Sequence, residues 1–182
     1  PEKARALAAD GAEPAATPAE AAEGCDGVFL CLTDERAVQD TVFGAQGVHR
    51  AAGAWLVDHS SIAPDTARRF AAQLQQAGGR VWIDAPVSGG VPGAQAGTLS
   101  IMAGGPAEAI DAASPYMRAY GGRITRMGPV GAGQVAKLCN QTIVASTVNA
   151  IAEAVALAQR SGIDASALNS ALAGAHRAHA GD

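Results

Sequence analysis

The 182-residue chain is short of aromatics, charge and cysteine. Aromatic residues make up 4%, so a core has to be built from Ala, Val, Leu and Ile. Charged residues make up 16%, below the ~25% of an average soluble domain. The net charge is −4 and the basic residues form no cluster, which argues against a nucleic-acid-binding surface. The cysteines are Cys25, Cys31 and Cys139. The number is odd, the spacings match no zinc pattern and two sit in or beside apolar runs, which reads as buried free thiols in a reducing compartment, hence a cytoplasmic protein. No apolar run reaches the ~18 residues of a membrane span, and no signal-peptide pattern opens the chain. His176 and His179 share helical spacing but have no carboxylate or thiol nearby, so no metal site is expected. The dinucleotide fingerprint G-x-G-x-x-G is absent from the 182 residues; Gly128–Gly133 carries glycines at the reverse spacing.

Hydrophobic residues, at 48%, are enough for a sizeable core, and the length allows one domain or one and a fraction. Up to about residue 127, strand-like and helix-like patterns alternate. Glu2–Ala9 reads as a helix, and a chain that opens on one at Pro1 suggests a fragment. Thr17 can cap a short helix over Pro18–Glu23. Gly27–Leu32 is a nearly all-apolar run, as in a central parallel strand covered on both faces. Thr33 or Asp34 caps a helix to about Phe43. Ala54–Asp58 is a strand, Asp65–Gln76 a helix opened by Pro64, and Val81–Ala85 a strand. A Gly/Pro-rich loop precedes a strand at Thr98–Ala103. A helix over Pro106–Arg118 and a strand near Arg123–Met127 follow. This alternation predicts an open parallel α/β sheet. From about Gly133 to Ser161 one long helix is expected, with Gly162 as its stop, followed by a helix over Ala165–Ala173 behind Asp164. The boundary between an α/β part and an all-α part therefore falls at Gly128–Gly133.

Three stretches can carry chemistry. In Asp84–Gly105, a strand ends in an acid and runs into Ser88-Gly89-Gly90. Glycines there can aim backbone N–H groups at a carboxylate, with the serine hydroxyl as a further donor; a tight loop shaped by glycine is the alternative. In Gly131–Gln141, Lys137, Asn140 and Gln141 stand at i, i+3 and i+4 on one helix face that continues through Val144 and Val148. A lysine beside two amides suits general acid/base work on a substrate oxygen. The alternative is a lysine that merely reaches solvent. In Asp58–Pro64, the hydroxyls of Ser60 and Ser61 can cap the next helix or contact a nucleotide at the sheet edge.

Taken in order, these stretches closely resemble the β-hydroxyacid dehydrogenase family, which includes 3-hydroxyisobutyrate dehydrogenase and tartronate semialdehyde (2-hydroxy-3-oxopropionate) reductase. The likeness runs from Glu2 to about Gly174. It rests on DAPVSGG…GTLSIMAGG and on the G-x-G-x-x-x-K-x-x-N segment. The resemblance implies an α/β fold: an incomplete Rossmann-type parallel sheet, a long interdomain helix and the start of an all-α domain. It divides the chain into 1–127, an NAD(P)-binding domain lacking its first β-α unit, and 128–182, the start of the helical domain. It implies Lys137 as catalytic acid/base, with Ser88, Gly89, Gly90, Asn140 and Gln141 on the substrate. Leu32, Thr33 and Ser61 would line the cofactor, NAD or NADP. The Asn140-Gln141 pair stands where the hydroxyisobutyrate enzymes usually have two asparagines, and is more like the tartronate semialdehyde reductase branch. Thr33 stands where a proline is common. The tail after Gly174 no longer looks like the family.

The implied activity is hydride transfer between a nicotinamide and a small 3-hydroxy carboxylate or semialdehyde. The segment itself is expected to be inactive or nearly so. Its partner would be a small carboxylate, with no nucleic acid or membrane, and the full-length protein would be a homo-oligomer. A non-catalytic Rossmann-type binding module and an imine reductase of the same architecture are the alternatives; loss of the lysine would mark either, and Lys137 is present.

Overall fold

A computed structural model describes residues 5–175. The expected helix at Glu2–Ala9 falls partly outside these residues, and the atypical tail with His176 and His179 lies outside them entirely. The chain divides into two compact units, Pro1–Leu138 and Cys139–Asp182.

In the first unit, a 3-10 turn at Leu7–Asp10 leads to α1 (Pro18–Ala22). There Thr17 accepts a hydrogen bond from the Glu20 N–H at 3.1 Å, and Glu20 reaches back to the Ala16 N–H at 2.8 Å. The elements that follow are β1 (Gly27–Leu30), α2 (Glu35–Phe43), β2 (Trp55–Asp58), α3 (Pro64–Gln76) and β3 (Val81–Asp84). Of the two candidate caps for α2, Asp34 is the one used, accepting from the Ala37 N–H at 2.8 Å. Beyond β3 lie β4 (Val87–Ser88), α4 (Gly90–Gln95), β5 (Leu99–Gly104), α5 (Ala107–Met117) and β6 (Gly121–Gly128).

β1, β2 and β3 are parallel neighbours in register, with Asp58 beside Asp84 at their carboxyl ends. The side chains of β2 and β3 point alternately to the two faces. Leu56 and Trp82 pack with Val38, Val42, Phe70 and Leu74 of α2 and α3. Trp55, Val57 and Ile83 pack with Ile110, Ala113 and Met117 of α5. Cover on both faces explains why these strands read as unbroken apolar runs.

The structure departs from the expectations in four ways. First, the sheet is mixed. β5 meets β3 and β4 antiparallel, through Asp84–Gly104, Val87–Ile101 and Ser88–Ser100, and β6 lies parallel to β5. The chain reverses between Ser88 and Leu99, where the Gly/Pro-rich stretch forms β4 and α4 instead of a plain loop. Second, β1 is an outer strand among the described residues, not a central one, and Phe29 is 37% exposed. Third, all three cysteines are exposed, not buried. Cys25 sits in the turn after α1, Cys31 lies one residue past β1, and Cys139 lies on an exposed stretch of the long helix. Fourth, that helix, α6 (Ala132–Arg160), is long and apolar enough to cross a membrane by length and composition alone. Polar residues such as Asn140, Gln141 and Asn149 interrupt any single apolar run along it.

α6 belongs to the first unit as far as Leu138 and to the second from Cys139. Its start is fixed by Asp84. The buried carboxylate accepts from the Gly131 N–H at 2.6 Å and the Gln134 N–H at 2.9 Å, which satisfies two donors at the start of the helix. The approach is close: a Cβ on Gly133 would overlap the carbonyl oxygens of Met102 and Asp84. In the second unit α6 exposes Ile143, Val144, Val148, Ile151 and Leu157, and α7 (Ala165–Ala175) begins where Asp164 accepts from the Ser166 N–H.

Burial raises both Asp84 and Asp58 from 3.8 to about 6. Asp84 is partly compensated by the N–H groups of Gly131 and Gln134. Asp58 is compensated only by Ser60, and its second oxygen, Oδ2, has no partner.

Two outcomes are expected. Gly133→Ala should lower the melting temperature by several degrees, since overpacking of this kind costs ~1–3 kcal/mol; an unchanged melting temperature would contradict the close approach. Asp58→Asn tests the buried acid. A carboxyl raised in the folded state binds more protons than in the unfolded chain between pH 4 and pH 6. Its stabilisation is complete below its unfolded value of 3.8 and is lost as pH rises through about 6. The variant should therefore gain on the parent between pH 4 and pH 7, by on the order of 2 kcal/mol. His59, held low by burial, pulls the opposite way in both proteins and cancels in the comparison. Thermal melts with a gap independent of pH would show that Asp58 titrates normally.

Candidate active site

The carboxyl ends of the parallel strands carry the chemistry-bearing loops. β3 ends at Asp84, and the chain continues through Ala85-Pro86 into β4, which ends in Ser88. Ser88 is half-buried, and among the described residues its hydroxyl has no protein partner. Gly89 and Gly90 are exposed, with φ of +130° and +60°. These left-handed values suit glycine alone and turn the backbone sharply after the serine.

Lys137 lies in the second turn of α6. Because Asp84 fixes the start of that helix, the lysine reaches the same loop: its Nζ donates to the Val87 carbonyl at 2.8 Å, one residue before Ser88. The structure thus joins Lys137 and the serine-glycine loop, which stand about fifty residues apart in sequence. Lys137 is half-buried and pairs with the protein, so it does not simply extend into solvent. Asn140 and Gln141 follow three and four residues later on the same helix, in the second unit. Asn140 is half-buried and Gln141 is exposed.

The cofactor candidates lie after β1 and β2. Leu32 is half-buried against the α2–α3 side of the core, and Thr33 is exposed. The two serines after β2 divide their roles. Ser60 is buried, and its Oγ accepts from the Leu32 N–H at 2.9 Å, tying the two loops together. Ser61 is exposed. Neither serine caps α3; the residue before that helix is Ala63, whose N–H donates to Glu35 Oε1 at 2.9 Å.

Three further residues shape this edge and were not singled out in the sequence. Gln134 is buried; its Nε2 donates to the Ser60 carbonyl at 2.8 Å and its Oε1 accepts from the Ile62 N–H at 3.3 Å. His59 is buried next to Ser60, with Nδ1 2.6 Å from the Ala85 carbonyl and Nε2 2.7 Å from the Tyr120 hydroxyl. Burial pushes the His59 ring below its ordinary range and lifts Tyr120 to about 12. The available signals were slight: an amide in the first turn of a helix beginning G-A-G-Q, and a histidine directly after a strand-ending acid. His59, Tyr120, Phe29, Leu30, Cys31, Val87, Ala94 and Leu99 together line a mostly apolar cavity of about 360 Å³.

Comparison with known proteins places this arrangement. Residues 1–128 match the family model described as the NAD binding domain of 6-phosphogluconate dehydrogenase. Residues 131–178 match the model described as NAD-binding of NADP-dependent 3-hydroxyisobutyrate dehydrogenase. The chain is 39% identical over 166 residues to 2-hydroxy-3-oxopropionate reductase of Escherichia coli (strain K12), covering 90% of this chain and 56% of that protein. A structure of 3-hydroxyisobutyrate dehydrogenase from Mycobacterium tuberculosis with L-serine superposes with a TM-score of 0.86 at 35% identity, covering 96% of this chain and 59% of that one. An imine reductase of Streptomyces aurantiacus superposes with a TM-score of 0.81 at 28% identity, covering 100% and 68%. The chain spans about half the length of the curated relatives it matches, between 53% and 56% for four of them. With a family match over most of its length, and with the lysine and the serine-glycine loop brought together, the chain belongs to the β-hydroxyacid dehydrogenase family.

Proposed function

We propose that the protein this chain belongs to is an NAD(P)-dependent oxidoreductase acting on a small 3-hydroxy carboxylate or its semialdehyde. The observation that carries the reading is the Lys137 Nζ on the carbonyl next to Ser88. An ammonium held there is poised to exchange that carbonyl for a substrate oxygen, to which it can give a proton or from which it can take one. Ser88, Gly89 and Gly90 hold the substrate carboxylate through the hydroxyl and backbone N–H groups, and Asn140 and Gln141 hold substrate oxygens. Positioning and charge stabilisation supply most of the rate.

The residues present fit the nicotinamide end of the cofactor. Thr33 and Ser61 are exposed beyond adjacent parallel strands, in loops locked together by Ser60 and Gln134. That is the edge where open α/β sheets bind nucleotides. When bound, the nicotinamide accepts or supplies the hydride. The L-serine bound to the mycobacterial enzyme is a 3-hydroxy carboxylate, which favours this substrate class. Assembly as a homo-oligomer and a cytoplasmic location belong to the same proposal. The imine reductase reading is weaker, because Lys137 and a carboxylate-type loop are both in place.

Lys137→Ala in the complete gene product should lower kcat by about 10²- to 10⁴-fold with 3-hydroxyisobutyrate or tartronate semialdehyde, followed by NAD(P)H absorbance. Turnover near the parental rate would remove the lysine from the mechanism. Turnover of cyclic imines in preference to semialdehydes would favour the alternative.

A further inference from the structure

Each backbone carbonyl between β3 and Ser88 has its own donor. The Ala85 oxygen faces His59 Nδ1 at 2.6 Å, the Pro86 oxygen accepts from the Met102 N–H at 3.1 Å, and the Val87 oxygen accepts from Lys137 Nζ at 2.8 Å. The three donors are not equivalent. The Met102 N–H belongs to the β-sheet. Lys137, on the reading above, leaves its carbonyl when substrate arrives. His59 is then, among the described residues, the one side chain still hydrogen-bonded to these three carbonyls.

The surroundings of His59 fix which way its protons point. Its backbone N–H donates to the Leu30 carbonyl at 2.7 Å, and the Ala85 N–H donates to the Asp58 carbonyl at 2.8 Å, so the ring is anchored at both ends of its reach. Phe29 stacks on it at 6.0 Å and 14°, and the Tyr120 ring meets it edge-on at 5.5 Å and 88°. Among the described residues no carboxylate hydrogen-bonds to the ring. A carbonyl can only accept, so the Ala85 bond requires the proton on Nδ1. A neutral ring then has a bare Nε2, which must accept from the Tyr120 O–H. The result is a directed chain from the Tyr120 hydroxyl through the imidazole to the Ala85 carbonyl.

We propose that His59 and Tyr120 form a positioning pair that holds the Ser88 loop in its carboxylate-binding shape while Lys137 exchanges the Val87 carbonyl for substrate. The proposal rests on the carboxylate reading of that loop. Neither residue touches the reacting atoms, and the pair acts through the backbone of Ala85.

Three variants of the complete gene product separate this role from mere packing. Tyr120→Phe removes one oxygen and keeps the ring. His59→Phe keeps the stacking and removes both hydrogen bonds. His59→Asn restores a donor on Cγ, where Nδ1 stood. Two readouts need no ligand. Nitrogen NMR of the parent should show His59 protonated on Nδ1 and bare on Nε2. Amide exchange at Ala85 and Met102, whose N–H groups bond the Asp58 and Pro86 carbonyls, should be slow in the parent, faster in Tyr120→Phe and His59→Phe, and slower in His59→Asn than in His59→Phe. A third readout is titration with 3-hydroxyisobutyrate, followed at the amides of Ser88, Gly89 and Gly90. The two phenylalanine variants should bind about 3- to 10-fold more weakly, the effect of one lost hydrogen bond, and His59→Asn, which keeps only the Ala85 donor, should bind better than His59→Phe.

A ring protonated on Nε2, or loop exchange unchanged in both phenylalanine variants, overturns the proposal. So does parental affinity in those variants when the parent itself binds. If the parent binds no 3-hydroxyisobutyrate, the carboxylate reading of the loop fails, and tautomer and exchange still decide whether the pair holds the backbone. Should His59→Phe fail to fold, Tyr120→Phe carries the comparison.

Discussion

The candidate site depends on the bond between the Asp84 carboxylate and the first turn of α6. One oxygen takes the Gly131 N–H and the other the Gln134 N–H. Asp84 ends β3, and the next residues of that strand's path are the serine-glycine loop. The first turns of α6 carry Gln134 and Lys137. A single side chain therefore sets both the helix and the loop, and Lys137 meets Val87 because both are measured from the same point. The anchor needs bare backbone on the helix side. Gly133 admits the carbonyls of Met102 and Asp84, and Gly131, at φ +90°, turns the chain into the helix beside Arg68.

This arrangement carries an electrostatic cost. Asp84 and Asp58 are neighbours across the sheet and both are buried. Burying a carboxylate disfavours its charged form unless hydrogen bonds repay the loss. Asp84 has two backbone donors, and Asp58 has one with an oxygen left over. That cost is offset by apolar burial along the same two strands, where Leu56, Val57, Trp82 and Ile83 are buried. At the opposite edge, Arg80 solves a similar problem without a carboxylate. It gives its guanidinium to the carbonyls of Ala22, Cys25 and Ala52, which joins the segments leading into β1 and β2.

What was legible in the sequence follows from which interactions are local. α6 showed in a stretch without Gly or Pro, and α3 in a proline at its first position, because helices obey near-neighbour rules. β2 and β3 showed as apolar runs because both faces are covered. The reversal of β5 did not show, because it depends on β4 pairing with Ile101 and Ser100 across a turn that looks like any Gly/Pro-rich loop. The cysteines were misjudged for a related reason: an apolar run marks where a strand is, not the residue at which its cover ends. Cys31 lies just past that point. Lys137 and Ser88 were singled out separately by their motifs, and only the three-dimensional anchor at Asp84 brings them together.

The serines after β2 show how far residue type can mislead about role. A hydroxyl before a helix suggests a cap, yet α3 starts without a serine cap, and Glu35 of α2 supplies the acceptor near its first turn. Ser60 is thereby free to hold the Leu32 N–H, and Gln134 holds the Ser60 carbonyl in turn. The loop after β1, the loop after β2 and the start of α6 become one hydrogen-bonded unit. Ser61 is left facing outward with no such duty. A side chain that the fold does not need for its own bonding, standing beside one that it does, is well placed to meet a ligand. The same reasoning separates Ser88 from His59: the hydroxyl of the first has no protein partner among the described residues, and the second has both of its ring nitrogens engaged. Ser88 is free to bind because residues such as His59 and Asp84 are not.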